Sequence, residues 1–375
     1  MSKKVLFIAT VLRGHVLVFH LPYMKWFQEQ GYEVHLCTRN DTGAVVESVP
    51  YCDRYFDLPF ERSPISPNNR VVYKQLKAII DEGNYDLIHC NTPVGGMLGR
   101  LCARDARKRG TKVVYTAHGF HFFSGAPIKN WLLFYPAERF LSRYTDLLIT
   151  INREDDKHAQ RFHARKSAMV NGVGVDLSRF EAEVDRDEVK AKLGIPSDEF
   201  IVINVGEHIS RKNHETALRV MQELPAVHLL FCGVGEKEDE LKKLAIDLGI
   251  EERTHFLGFR RDVPELLKAS DVFFFPSLQE GLPVSQMEAM AAGLPCVVSN
   301  VRGNADLIQQ GVGGMLRSAR DASGFAEDIA LLLGNPAMRE EMSKYNQNEI
   351  QKYSLDEVRK QLAALYLELL GKEGA

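Results

Sequence analysis

Pro276-Ser277-Leu278-Gln279-Glu280-Gly281-Leu282-Pro283-Val284-Ser285-Gln286-Met287-Glu288-Ala289-Met290-Ala291-Ala292-Gly293-Leu294-Pro295 follows the apolar run of residues 272–275. The run reads as a buried strand. A Gly-Leu-Pro turn then opens a helix rich in Met and Ala, which Gly293 and Pro295 end. Two carboxylates stand eight residues apart, Glu280 in the loop and Glu288 inside the helix. At helical rise that spacing spans at most about 12 Å. The free N–H groups of the helix start lie between them, where a bound anion is favoured.

Outward from this unit, short apolar runs alternate with longer amphipathic stretches, the pattern of β-α-β units and parallel sheets. In the first half, strands are predicted over 5–9, 33–38, 87–90, 112–116 and 147–151, and helices over 22–30, 71–81, 95–107 and 129–144. The second half repeats the scheme, with strands over 201–205, 228–232, 255–257, 272–275 and 296–298. Its helices are expected over 214–223, 238–248, 263–269 and 284–292. The join falls between 171 and 201, where 176–188 is polar and without period, and a patterned helix over 355–370 ends the chain. At 375 residues, two domains with separate cores are expected, 1–172 and 173–354.

The composition is that of an ordinary globular protein, 45% apolar and 26% charged, with net charge −3. Residues 1–175 hold 24 Lys and Arg against 16 Asp and Glu, and the remainder 23 against 34. A basic front half fits an anionic partner such as a membrane surface, or has no meaning beyond uneven surface charge. No segment reaches the roughly 18 apolar residues of a membrane span. Met1 to Lys4 and the apolar run behind them suit a first buried strand better than a signal peptide. The six Cys lack any C-x-x-C pair and read as buried hydrophobes in a reducing compartment. The cytoplasm is the expected location, with the inner face of the cell membrane as a further possibility.

The 276–295 segment resembles the Glu-x7-Glu signature of retaining glycosyltransferases of family 4. That resemblance implies two Rossmann-like doubly wound α/β domains (the GT-B fold) with a cleft between them. It also implies that the last helix, within 355–375, packs back on the first domain. It assigns Glu280 to the donor sugar's hydroxyls and Glu288 to the ribose, with Gly281, Leu282 and Val284 beside the nucleotide. His118, in Ala117-His118-Gly119-Phe120-His121 after a strand, matches the family's histidine near the donor sugar; His121 is the weaker candidate. Gly206-Glu207-His208-Ile209-Ser210-Arg211-Lys212-Asn213 matches the diphosphate-binding segment, with Lys212 at the usual lysine. Glu207 occupies the usual Arg position, so Arg211 is the candidate replacement. Phe259 and Arg260 fall where the family holds the nucleobase, and Asp262 is a candidate helix cap. Asn171 lies in a segment like the family's hinge loop. Gly14 is the candidate for close backbone approach to the donor after the first strand.

Neither half carries the dinucleotide fingerprint, since Gly233-x-Gly235 is followed by Glu238 at the third position. Asp185-Arg186-Asp187 matches a metal-binding D-x-D but reads as solvated charge, and no metal or cofactor is expected. The implied function is retaining transfer of a hexosyl or N-acetylhexosaminyl group from a nucleotide-sugar donor, with UDP favoured. The implied acceptor is a polyprenyl-diphosphate-linked saccharide in bacterial exopolysaccharide or capsule synthesis. An aromatic and basic stretch, 120–123 and 131–135 with Arg139 and Arg143, suits either peripheral membrane contact or a buried helix. The alternatives are an epimerase or hydrolase of the same fold, and a non-catalytic nucleotide-sugar-binding subunit. No nucleic-acid role is indicated, and the oligomeric state is left open.

Overall fold

The computed structural model describes residues 3–371. It divides into two compact units: the chain up to Val173 with the segment from Val358 onward, and Gly174–Glu357.

The first unit is built on β1 (Lys3–Val11), β2 (Tyr32–Arg39), β3 (Arg54–Asp57), β4 (Leu87–Asn91), β5 (Lys112–Ala117), β6 (Leu147–Thr150) and β7 (Lys166–Met169). They form one sheet in the order β3-β2-β1-β4-β5-β6-β7, paired in parallel throughout. β1 sits centrally because Val5 to Ala9 bury on both faces. The strand order reverses between β1 and β4, and in such sheets ligands gather beyond the strand ends at that reversal. There β1 runs into a π-turn, Leu12–Val16.

Gly95 and Gly99 bring the helix Pro93–Cys102 hard against the sheet. An added Cβ would stand 3.2 Å from Ala9 Cα and 2.5 Å from Cys90 Sγ, respectively. The expected single helix over 95–107 is instead two, Pro93–Cys102 and Arg104–Lys108. β3 and β7 were not expected from the sequence: both are four-residue edge strands, exposed at their ends and only partly buried between, with no long apolar run. Tyr366 of the helix Leu355–Leu369 is buried in this unit, its ring against Trp26 and Phe27 and its hydroxyl 3.0 Å from His89 Nδ1.

The second unit repeats the plan with β8 (Phe200–Val205), β9 (Val227–Cys232), β10 (Thr254–Phe256), β11 (Val272–Phe275), β12 (Cys296–Ser299) and β13 (Gly314–Arg317). The order is β10-β9-β8-β11-β12-β13, again all parallel. Phe273, Phe274 and Phe275 are fully buried, each contributing roughly 1.5–3 kcal/mol of apolar burial. The reversal here lies between β8 and β11, which sets the loop after β8 beside the loop 276–283. β13 and the helices Ala322–Leu333 and Pro336–Glu349 complete the unit without having been expected.

Two sequence readings of acids need correction. Asp185 is not merely solvated: its side chain accepts from the N–H groups of Asp187 and Glu188 and caps the helix Arg186–Lys192. Asp262 makes no side-chain cap at the helix Val263–Ala269, because its carboxylate is taken by Arg260 at 2.7 Å.

Candidate active site

In the second unit, a 3-10 turn, Ser210–Lys212, follows β8 and is ended by Asn213 in the left-handed region (φ 57°). Asn213 Nδ2 donates to Pro276 O at 2.9 Å and Ala319 O at 2.8 Å. Leu278 N–H donates to Arg211 O at 2.9 Å. These bonds lock the two loops together and set their side chains.

Glu280 is buried where they meet. Its Oε1 accepts from Lys212 Nζ at 2.8 Å, Arg211 Nη1 at 3.0 Å and Ser277 Oγ at 2.5 Å. Its Oε2 accepts nothing from the described residues. Lys212 lies over the Phe275 ring, 4.5 Å from the centroid, and burial pulls its pKa down against the opposing pull of Glu280. Glu207 is exposed, so at the usual Arg position the loop presents an acid to solvent. Arg302 Nε donates to Glu280 O at 3.0 Å and further fixes the loop.

The helix Val284–Ala291 starts at Pro283, which provides no side-chain cap for the first-turn N–H groups. Gly303 (φ 84°) lets the backbone after β12 press on Gly281 and Leu282: an added Cβ would meet Gly281 O at 2.6 Å. Glu288 is half-buried, pairs with Arg179 at 2.8 Å, and has its pKa raised by burial. Phe259 exposes its side chain, and its backbone N–H and C=O have no partner among the described residues. Arg260 is committed to Asp262.

The Gly233-x-Gly235 pair is explained by packing. Added Cβ atoms there would stand 1.9 Å from Gly206 O and 2.4 Å from His208 O, so both glycines let strand ends and loop pass closely.

In the first unit, His118 groups with His15 and His20, not with His121. Nitrogens of the three rings lie within 4.8 Å of one another, the one such group among the described residues with metal-ligand character. His15 Nε2 and both nitrogens of His20 are buried without a hydrogen-bond partner, while His118 Nε2 is 3.4 Å from Asn91 Oδ1. Burial foremost, then neighbouring imidazoles, hold His15, His20 and His118 well below the usual histidine pKa, so they are neutral near pH 7. His121 packs on Phe134 instead. Gly14 sits in the π-turn with its N–H 3.4 Å from Asp41 Oδ2, and Asn171 N–H donates to Gln361 Oε1 at 3.1 Å.

The sequence did not single out His15, His20, Arg179 or Arg100. Arg100 is fully buried, bonded to Glu138 at 2.8 Å and stacked on Tyr115. Nothing local in the sequence marks these residues, because the strand order brings their partners from far along the chain.

Two parallel-sheet α/β units, each with its loops gathered at the reversal of strand order, form the GT-B architecture of glycosyltransferases. Residues 185–349 match the family described as Glycosyl transferases group 1, and residues 4–152 match the Glycosyl transferase 4-like family. The chain belongs to this glycosyltransferase family. It is 40% identical over 374 residues, covering 98% of this chain and 97% of the relative, to EpsD of Bacillus subtilis (strain 168), provisionally designated a glycosyltransferase. It is 33% identical over 291 residues to UDP-Gal:alpha-D-GlcNAc-diphosphoundecaprenol alpha-1,3-galactosyltransferase of Escherichia coli, covering 74% and 73% of the two chains. Among solved structures, HepE of Anabaena in complex with UDP and glucose superposes with TM-score 0.80 at 18% identity, covering 98% and 100% of the chains.

Proposed function

We propose that the protein transfers a hexosyl or N-acetylhexosaminyl group, with retention, from a UDP-sugar to a hydroxyl of a lipid-diphosphate-linked saccharide. The product would enter bacterial exopolysaccharide or capsule. The observation that carries this is the posture of Glu280: three donors hold Oε1, which leaves Oε2 to accept hydroxyl groups of a donor sugar. Lys212 has further N–H groups to offer a diphosphate, and the uncapped turn at Val284 adds backbone donors. As the C1–O bond breaks, charge builds on the departing diphosphate, and preset cations and dipoles stabilise it. Glu288 would hold the ribose and the free backbone of Phe259 the base. His118, neutral, would hydrogen-bond the sugar rather than repel the positive charge that develops at C1 as its bond to the diphosphate breaks and the acceptor oxygen bonds to it. The names of the two relatives support the acceptor class.

The test is transfer of radiolabelled sugar from UDP-sugars to a diphosphate-linked saccharide, with and without EDTA. Label in the extracted lipid, unchanged by chelation, is the expected result. UDP binding without transfer to any such acceptor would favour the non-catalytic reading, which the exposed Glu207 keeps in view. Thermal-shift screening against UDP-, GDP- and ADP-sugars identifies the nucleotide.

A further inference from the structure

The first unit contains a cavity of about 710 Å³. One wall comes from the end of β1 and its turn, through Thr10, Gly14 and His15. Another comes from the helix Ile128–Leu141, through Leu133 and Phe134, with Met97 between. The lining is mainly apolar; His121 adds a polar edge to it, and the Thr10 and Thr92 hydroxyls bond each other at 2.7 Å. Glu138 on the lining is neutralised by Arg100, whereas Arg62, also lining it, has no ion pair among the described residues. Ile65 and Leu133 line the cavity yet are 90% and 62% exposed, so apolar side chains continue from it to the surface. Ile128 and Leu132 extend that surface along the same helix.

We infer that this cavity binds the hydrocarbon chain of the acceptor lipid next to its diphosphate. An amphiphile satisfies all of these features. Its chain replaces water against the apolar lining, and its anionic group meets the free Arg62. A bare saccharide would leave its hydroxyls unpaired against Met97, Leu133 and Phe134. The inference rests on the acceptor class proposed above and adds where the chain lies.

The test uses two acceptors with one diphosphate-saccharide head, one on a polyprenyl chain and one on a butyl chain. Wild type is expected to show a KM at least tenfold lower for the polyprenyl acceptor. That ratio should fall towards one in Met97→Trp, which fills the cavity, and in Leu133→Asp, at an exposed position where misfolding is not at issue. Ile246→Asp, on the second unit, keeps the ratio. Equal KM values for wild type, or a ratio that survives both cavity variants, would overturn the inference. Dodecyl diphosphate titrated against intrinsic tryptophan fluorescence reads binding without chemistry. Saturation in wild type that is lost in Leu133→Asp upholds the cavity even if no sugar is transferred, in which case the proposed reaction fails alone. Transfer to both acceptors without dodecyl diphosphate binding sinks the cavity and leaves the reaction standing.

Discussion

Glu280 and Gly14 are two residues that the fold does not itself explain. Three donors converge on one oxygen of Glu280 and leave the other without a partner among the described residues. Glu280→Gln keeps the shape but leaves Lys212 and Arg211 without a countercharge. We expect kcat to fall by about 10²-fold or more, the scale of losing one preorganised electrostatic contact, with UDP affinity changed far less. Loss of UDP binding in step with kcat would mean the residue only builds the loop. An added Cβ at Gly14 meets nothing nearer than 3.7 Å, and its φ is not in the left-handed region. Gly14→Ala should therefore fold with an unchanged Tm and lose donor affinity; a normal KM would deny close approach by a ligand. The loops of the second unit were legible because Gly and Pro punctuate them and the charged residues sit at fixed offsets. The trio His15, His20 and His118 was not, since only the pairing of β1 with β4 and of β4 with β5 brings residues a hundred positions apart together.

Among the elements, the helix Ile128–Leu141 is the least ordinary. The aromatic stretch around it proves to be largely core: Phe120 stacks on Phe122, and Trp131 and Tyr135 pack against Phe122. Exposure falls instead on the aliphatic Ile128, Leu132 and Leu133 and on Phe140, with Arg139 and Arg143 alongside. Such a face suits an anionic membrane surface. Leu132→Asp is expected to lower cosedimentation with phosphatidylglycerol vesicles severalfold at low salt, and vesicle binding equal to wild type would count against it. No helix of the described residues is long and apolar enough to cross a membrane. The helix Leu355–Leu369 holds by Tyr366, whose truncation to Ala should cost about 3–5 kcal/mol in urea unfolding. A loss under 1 kcal/mol would show that the helix adds little. Both helices could be read from their periodicity, but edge strands β3 and β7 could not, because half-exposed strands carry too little apolar signal.

For the whole molecule, the buried imidazoles set how stability responds to acid. Burial lowers His89 to about 3 and holds His15, His20 and His118 well down. The unfolded chain takes up these protons below about pH 6.5 while the folded protein does not. Their contribution is thus complete above about 6.5 and shrinks as pH falls towards 3, by up to about 1.4 kcal/mol per pH unit for each ring. Urea midpoints at pH 7.5 and 5.5 check this, and equal stability at the two would contradict burial in the neutral form. The two-domain plan itself was plain from the alternating pattern, repeated in each half.

Among the thiols, Cys37, Cys90, Cys102, Cys232 and Cys296 are buried and Cys52 is only partly covered, its pKa pushed up to about 12. An alkylating dye should therefore reach Cys52 first, and only in strong alkali, because burial leaves almost none of that thiol ionised at neutral pH. A cysteine engineered at an exposed position could therefore be labelled at neutral pH without first removing the six native thiols.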